Sequence, residues 1–248
     1  MSYSIESITE SIGARRMGNA PATIDWLLTD SRSLNFPEET LFFALTTKRN
    51  DGARYIADLY ARGVRNFVLS EESFRLMDNG QLTIDNAMQR DDAQSIVNYL
   101  IVPNPLKALQ KLAEQHRNRF QIPVIGITGS NGKTVVKEWL HQLLSPERAI
   151  IRSPRSYNSQ IGVPLSVWQM NEQSELAIFE AGISEPGEMR ALQNIIKPTI
   201  GILTNIGGAH QENFFSLQEK CMEKLTLFKN CDVVIYNGDD EFVSNCVA

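Results

Sequence analysis

Residues 123–134 read PVIGITGSNGKT, and this stretch decides the predicted fold. It is an apolar run of strand length that leads into a glycine-rich turn, and a helical pattern follows at once. Three more short apolar runs, at 176–179, 200–203 and 233–236, are separated by amphipathic segments of helix length. Nearly continuous apolar strands that alternate with helices indicate a mostly parallel sheet with helices on both faces. The sequence therefore predicts an α/β fold.

The turn after the first of these strands has the composition of a phosphate-binding loop. Its glycines allow backbone N–H groups to surround phosphate oxygens at a helix N-terminus, where the helix dipole favours an anion. Lys133 supplies a positive charge for the β and γ phosphates, and the hydroxyl of Thr134 can bind Mg²⁺. The residues predicted to bind the nucleotide are Thr128, Gly129, Ser130, Asn131, Gly132, Lys133 and Thr134.

The spacing of this loop differs from the common GxxxxGK[ST] pattern. Ile127 occupies the position of the first glycine, and Gly126 lies one residue too early. The alternative interpretation is a turn in which Gly-Lys-Thr occurs by chance. The strand before the turn and the helical pattern after it favour phosphate binding.

Polar side chains also follow two later strands. Glu180 comes directly after the run at 176–179, and TNIGGAH at 204–210 places His210 behind a loop with two glycines. Ligands of open parallel sheets bind at the carboxyl ends of the strands, where a carboxylate can hold the Mg²⁺ that bridges ATP phosphates. A capping or surface role for Glu180 and a structural role for His210 are the alternatives.

Residues 216–228 have a helical pattern that contains a further lysine. Ser216 and Glu219 form the capping box that is typical of a helix start. Lys224 lies in this helix, and by spacing alone its simplest interpretation is a residue on a solvated helix face.

The first hundred residues are predicted to form a small mixed α/β unit. The runs at 41–45, 66–69 and 99–102 are interpreted as strands, and residues 54–62 as a helix closed by a glycine. Residues 80–92 are polar without an apolar period, which indicates a loop. We predict a domain boundary after residue 102, because two prolines follow there, so that the domains are 1–102 and 103–248.

Composition excludes several classes of protein. The chain has 248 residues and a formal net charge of −5, and it has no basic tail. Nucleic-acid and anionic-membrane binders require a basic face, so neither partner is expected. No apolar stretch is long enough to span a membrane, and the first residues do not resemble a secretory signal. Three cysteines without a CxxC pair favour a reducing, cytoplasmic location.

Four motifs together resemble one family, the Mur ligases, which are ATP-dependent enzymes of peptidoglycan synthesis. They are GITGSNGKT at 126–134, FEAGISEPGEM at 179–189, TNIGGAH at 204–210 and TDSRSLNFPEETLFFAL at 29–45. Within the family they are most similar to the branch that joins D-alanyl-D-alanine to UDP-N-acetylmuramoyl-tripeptide. Three longer segments, around 30–45, 152–168 and 210–228, are similar to the ligase half of a ligase–alanine racemase fusion, which implies a racemase as a covalent partner of the full-length protein.

The resemblance implies roles for individual residues. The implied catalytic residues are Lys133, Glu180, His210 and Lys224, and the implied ligands of two Mg²⁺ ions are Thr134, Glu180, His210 and Lys224. The lysine of the KLTLF segment, Lys224, matches the one that the family carbamylates with CO₂. Carbamylation requires a neutral amine and hence a depressed pKa.

The resemblance also implies the substrate contacts and the domain roles. Ser31 and Arg32 match the region that holds the UDP part of the substrate, and Asn158 matches a loop that faces the γ-phosphate and the muramoyl part. Domain 1–102 would then bind the UDP-muramoyl substrate, and domain 103–248 would bind ATP.

Some features differ from the family pattern. Ala53 stands where the family often has histidine, and Ser159 and Gln160 lie in a segment where it often has asparagine and glutamate. The family continues into a third, acceptor-binding domain, whereas this chain stops at Ala248, so we expect an N-terminal fragment that is inactive alone.

Other functions remain as alternatives. A superfamily member with another acceptor, such as folylpolyglutamate, is opposed weakly by Ala209 and by the DSR segment at 30–32. A non-catalytic nucleotide-binding fragment is a second alternative. A switch GTPase is disfavoured because no NKxD motif is present.

Overall fold

The computed structural model describes residues 1–47, 50–78, 96–208 and 213–247. The chain divides into two compact units, Met1–Leu112 and Ala113–Ala248. No helix within the described part of the chain is long and apolar enough to cross a bilayer.

The first unit is built on a mixed five-stranded sheet. The strands of the unit are β1 (Tyr3–Ser4), β2 (Arg15–Met17), β3 (Thr23–Ile24), β4 (Trp26–Leu28), β5 (Thr40–Phe43), β6 (Thr46–Thr47), β7 (Asn50–Asp51), β8 (Asn66–Ser70) and β9 (Asn98–Val102). Two pairs of these strands, β1 with β3 and β6 with β7, form separate two-stranded sheets. The helices of the unit are α1 (Ile5–Ile12), α2 (Ile56–Ala61) and α3 (Glu71–Asp78). Helix α4 (Pro105–Arg117) begins in the first unit and ends in the second. The sheet has the order β2-β9-β8-β5-β4, in which only the β2–β9 pair is antiparallel.

The apolar runs of the first unit form its core as predicted. All four residues of β5 are buried, β8 pairs with β5 in parallel, and β9 pairs with β8 in parallel. The predicted helix at 54–62 is confirmed as α2, but it begins two residues later, because residues 52–55 form a 3₁₀ turn that the Asp51 side chain caps at Ala53 N–H. The predicted loop at 80–92 lies outside the described residues.

The second unit contains a wholly parallel five-stranded sheet. Its strands are β10 (Val124–Thr128), β11 (Ile150–Arg152), β12 (Leu176–Glu180), β13 (Ile200–Leu203) and β14 (Val233–Ile235). Its helices are α5 (Lys133–Leu144), α6 (Gly162–Val167), α7 (Glu188–Ile196), α8 (Leu217–Leu225) and α9 (Glu241–Val247), and a 3₁₀ turn at Thr226–Phe228 follows α8.

The order of this sheet, β11-β12-β10-β13-β14, places the phosphate-binding loop at a reversal of strand order. The chain starts in the centre at β10, moves out to β11, returns through β12, and then crosses to the other side of β10. Ligands of open α/β sheets bind at such a reversal, beyond the carboxyl ends of the strands. Helix α5 covers one face of the sheet and the larger core with α6 and α7 covers the other, so the predicted fold class is confirmed.

Two predictions for this unit need correction. Glu180 is the last residue of β12 rather than the first residue after it, because it is paired with Ile127 in register. The segment 150–152, for which no strand was predicted, forms β11 at the sheet edge beside β12. Its three residues are only half-buried, so the strong apolar signal of the central strands is absent there.

Candidate nucleotide-binding site

Two glycines give the loop after β10 its shape. Gly129 has φ 143° and Gly132 has φ 80°, both in the region that side chains avoid. A Cβ on Gly129 would lie 2.0 Å from Thr204 Oγ1. Within the described residues no side chain caps α5, which begins directly after Gly132. The first N–H groups of the helix are therefore left for an anion.

The loop is fixed by hydrogen bonds to the segment that follows β13. Ser130 N–H donates to Asn205 O at 2.8 Å, and Asn131 N–H donates to Asn205 Oδ1 at 2.9 Å. Thr204 Oγ1 donates to Asn131 O at 2.6 Å, and Ser130 Oγ accepts from Gly207 N–H at 2.9 Å. The segment that follows β13 thus holds the loop in place through these four hydrogen bonds.

Lys133, the predicted phosphate-binding lysine, folds back over this loop. Its Nζ donates to Gly129 O at 2.8 Å and to Ser130 O at 3.3 Å. Burial lowers the pKa of Lys133, and the positive charge of Lys220 lowers it further, whereas the carboxylate of Glu180 opposes the shift. A phosphate at the loop would give this half-buried cation a counter-charge.

Thr134 and Glu180, the two predicted Mg²⁺ ligands on α5 and β12, lie in contact. Thr134 Oγ1 donates to Glu180 Oε2 at 3.0 Å. The Glu180 side chain is fully buried and forms an ion pair with Lys137, whose Nζ lies 2.9 Å from Oε1. The capping and surface interpretations of Glu180 are therefore wrong.

This arrangement suits a magnesium nucleotide in its donor chemistry. A hydroxyl oxygen and a carboxylate oxygen are hard ligands of the kind that Mg²⁺ takes alongside phosphate oxygens and water. Among the described residues no cluster of three or more His, Cys, Asp or Glu side chains could hold a metal by itself. Such a cluster is not needed, because Mg²⁺ that arrives with phosphates uses only one or two protein carboxylates.

Lys224 lies beside the loop and not in solvent, so the solvated-face interpretation is wrong. Only 3% of the residue is exposed, and its Nζ donates to Gly129 O at 3.2 Å. Burial lowers the pKa of Lys224 to about 8, and the nearby ammonium groups of Lys133 and Lys220 add to the shift. The helix that carries it starts as predicted, since Ser216 Oγ accepts from Glu219 N–H at 3.0 Å.

Lys133 and Lys224 line a small cavity of about 120 Å³ together with the predicted substrate residue Asn158. The backbone of Asn158 accepts a hydrogen bond from Gly182 N–H at 2.8 Å. A Cβ on Gly182 would lie 3.1 Å from the Asn158 side chain, so glycine leaves room for it. The structure thus brings the loop, Lys224 and Asn158 together.

Ser31 and Arg32, the other predicted substrate residues, lie in the first unit on a 3₁₀ turn after β4. The turn is capped by Asp30, which accepts from Arg32 N–H at 3.1 Å. The Arg32 side chain is 87% exposed and pairs with Asp30 at 2.6 Å, while Ser31 O accepts from Arg62 at 2.8 Å. His210, the remaining predicted site residue, lies outside the described residues.

Sequence reasoning missed Lys137 and Asn205. Lys137 lies three residues after Thr134, so it is on the same face of α5, and this spacing is the signal that could have found it. Asn205 directly follows a threonine at the end of β13, and its contacts depend on a neighbouring strand that sequence order does not reveal.

Comparison with known proteins finds a family model that matches most of the second unit. Residues 127–248 match the family model of the Mur ligase middle domain. This segment includes the phosphate-binding loop, Glu180 and Lys224.

Curated relatives are similar to nearly the whole chain. The UDP-N-acetylmuramoyl-tripeptide–D-alanyl-D-alanine ligase of Borreliella burgdorferi is 32% identical over 90% of this chain and 47% of its own length. The ligase of the same name from Rickettsia prowazekii is 34% identical over 81% of this chain and 41% of its own length. The chain therefore spans less than half the length of these relatives.

Solved structures share the fold. MurF from Acinetobacter baumannii superposes with a TM-score of 0.82 at 23% identity, over 99% of this chain and 51% of that one. MurF ligase from Thermotoga maritima in complex with ADP has a TM-score of 0.71 at 25% identity, over 89% of this chain and 47% of that one. Taken together, these matches show that residues 127–248 are similar to the Mur ligase middle domain and that the chain shares the fold of the MurF structures.

Proposed function

We propose that the chain is part of an ATP-dependent amide ligase that joins D-alanyl-D-alanine to UDP-N-acetylmuramoyl-tripeptide. The observation that carries the proposal is the contact between Thr134 and Glu180 at the uncapped start of α5, in a chain 30–34% identical to ligases of that name. The three free cysteines are typical of a reducing compartment, which supports a cytoplasmic location.

The nucleotide would bind at the loop between β10 and α5. The N–H groups at the start of α5 and the ammonium of Lys133 would hold its phosphates. Thr134 and Glu180 would hold Mg²⁺, and His210 is proposed as a ligand of a second ion. Bound Mg²⁺ would neutralise the charge that develops on the transferring phosphoryl group.

The proposed reaction forms and then consumes an acyl phosphate. A carboxylate oxygen of the tripeptide attacks the γ-phosphorus, and the bond from that phosphorus to the ADP oxygen breaks. The amine of D-alanyl-D-alanine then attacks the acyl carbon, phosphate leaves, and the nitrogen loses a proton. Lys133, which already lies at the loop, would stabilise the negative charge in the first step.

Carbamylation of Lys224 is part of the proposal. The lone pair of a neutral Nζ would attack the carbon of CO₂, and loss of a proton would leave a carbamate with two oxygens. Support comes from the depressed pKa of Lys224, about 8, which leaves a larger neutral fraction near pH 7 than an ordinary lysine has. Such an anion beside Gly129 could help to hold the second metal ion.

The substrate contacts and the fusion are proposed on narrower grounds. Ser31 and Arg32 would bind the UDP part from the first unit, where the exposed guanidinium of Arg32 is accessible to a diphosphate. Asn158 would face the muramoyl part and the γ-phosphate from the second unit. A covalent link to an alanine racemase is proposed from the similarity of three sequence segments alone.

Calorimetry with UDP-N-acetylmuramoyl-tripeptide tests the substrate class. At the proposed substrate site, we expect the chain to bind this compound more tightly than UDP, and UDP more tightly than ADP. ADP should not block this site, because it is expected to bind at the loop after β10. Equal affinity for uridine and non-uridine nucleotides in folded protein would contradict the substrate assignment. ATP hydrolysis, measured on this chain and on a longer one, separates a ligase from a non-catalytic nucleotide-binding protein.

A further inference from the structure

Lys137 is a fully buried lysine at the base of the nucleotide-binding site. It lies on α5 one turn after Thr134, and its side chain is 0% exposed. Buried ammonium groups are costly unless they are paired and hydrogen-bonded. The groups that contact the Lys137 ammonium therefore indicate which part of the site its charge stabilises.

Four oxygen atoms surround the Lys137 ammonium. Its Nζ lies 2.9 Å from Glu180 Oε1 and 3.1 Å from Glu138 Oε1, and it donates to Ser153 O at 2.8 Å and to Arg155 O. The ammonium donates hydrogen bonds to the two carbonyl oxygens, and it pairs by charge with the two carboxylates. Lys137 thus ties the end of β12 to the segment that follows β11.

The two oxygens of Glu180 consequently have different partners. Oε1 faces Lys137, whereas Oε2 accepts from the Thr134 hydroxyl at 3.0 Å, on the side of the phosphate-binding loop. The Glu180 backbone N–H also donates to Ser153 Oγ at 3.2 Å, which fixes the strand end. Oε2 is thus the oxygen on the side of the loop, whereas Oε1 accepts no hydrogen bond from the described residues and is paired with the charge of Lys137.

We propose that Lys137 is a positioning residue that makes Glu180 a one-oxygen ligand and thereby favours Mg²⁺ over Ca²⁺ at this site. The inference rests on the proposed function, in which Glu180 holds the metal of the bound nucleotide. Mg²⁺ requires near-octahedral geometry and binds one oxygen of each carboxylate together with water and phosphate. Ca²⁺ takes more ligands and accepts both oxygens of a carboxylate, and Lys137 withholds the second oxygen.

The test compares metal preference in variants of the chain. Binding of ADP is measured by calorimetry against increasing Mg²⁺ and, separately, increasing Ca²⁺, and the ratio of the two half-saturating concentrations is the readout. Lys137→Met frees Glu180 Oε1, and Lys137→Gln removes the charge but keeps donors for Ser153 O and Arg155 O if the first variant does not fold. Glu138→Gln is the matched control, since it alters another carboxylate beside Lys137 but leaves Glu180 in place.

We expect either Lys137 variant to shift the ratio toward Ca²⁺ by about tenfold, the size of effect seen when an outer-shell partner of a metal ligand is altered. Glu138→Gln should leave the ratio unchanged. A purely structural role would weaken the binding of both metals alike, so an unchanged ratio in a folded Lys137 variant overturns the inference.

Infrared difference spectra of the unaltered chain give a second test, because one-oxygen and two-oxygen carboxylate coordination differ in the splitting of the carboxylate stretches.

Glu180→Gln separates this inference from the proposed function. It should weaken the binding of ADP with either metal. If it does not, Glu180 is not a metal ligand and both proposals fail. If it does, while Lys137→Gln retains the ratio of the unaltered chain, only the role of Lys137 fails.

Discussion

Two turns of this chain follow parallel strands and carry predicted ligand-binding residues, but their surroundings are opposite. The turn after β4, with Asp30 and Arg32, is exposed, and its ion pair joins residues two positions apart. The loop after β10 rests on buried charges from other elements, with Lys137 and Glu180 fully buried.

The difference shows which of the two turns is held in one conformation by the rest of the fold before a ligand binds. An exposed ion pair is screened by water and salt and contributes little to stability. A buried charge must be held by its partners, because an unpaired one is strongly destabilising. Substitutions at the loop after β10 should therefore change stability and ligand binding together, whereas those at the turn after β4 should change ligand binding alone.

Gly129→Ala should give the largest effect. The new Cβ would lie 2.0 Å from Thr204 Oγ1 at a φ of 143°, and the strain and the overlap together should lower the free energy of unfolding by about 3 kcal/mol. Urea denaturation measures it. Gly208→Ala is the control, since nothing lies within 4 Å of its added Cβ. Similar small effects of both variants would contradict the packed loop described above.

Lys133→Ala should weaken ADP binding by about 2 kcal/mol, roughly 30-fold, because it removes a charged hydrogen-bond donor to phosphate. Calorimetry of folded variants measures the loss. Lys229→Ala, which alters an exposed lysine after α8, should bind ADP like the unaltered chain. If Lys133→Ala retained full affinity, the phosphate-binding role of this loop would be wrong.

Lys224→Met should alter the pH dependence of stability. The pKa of Lys224 is about 8 in the folded chain, whereas that of an ordinary solvated lysine is 10.5, so between these values the unfolded chain binds more protons and stability rises with pH. In CO₂-free buffer the unaltered chain should gain about 1 kcal/mol over the variant between about pH 8 and pH 9.5. Lys229→Met should show no such difference. If the free energies of unfolding of the unaltered chain and of Lys224→Met differed by the same amount at every pH, the burial of the Lys224 ammonium would be contradicted.

Arg32→Ala should give the smallest change in stability, under about 0.5 kcal/mol, because the side chain is 87% exposed. The same variant should bind UDP-N-acetylmuramoyl-tripeptide more weakly, as measured by calorimetry. A large loss of stability would remove the contrast between the two turns. Unchanged substrate affinity would remove Arg32 from the proposed substrate site.

The same contrast explains how much could be predicted from the sequence. The strand–loop–helix order around Lys133 is local in the sequence. The nucleotide-binding loop and the parallel sheet could therefore be predicted from the apolar runs and the glycines. The burial of Lys224 could not, because its contact with Gly129 O joins residues 95 positions apart. The spacing of Lys137 from Thr134 places it on the same face of α5, but its partners could not be predicted, since Glu180 and the Ser153 carbonyl reach it only through the order of β11, β12 and β10.

A crystal structure of the chain with ADP and Mg²⁺ tests the central claim most directly. The account predicts that the β-phosphate lies at the start of α5, within hydrogen-bonding distance of Lys133, and that Mg²⁺ contacts Thr134 Oγ1 and one oxygen of Glu180. ADP bound away from this loop, or Mg²⁺ without contact to Thr134 and Glu180, would contradict it.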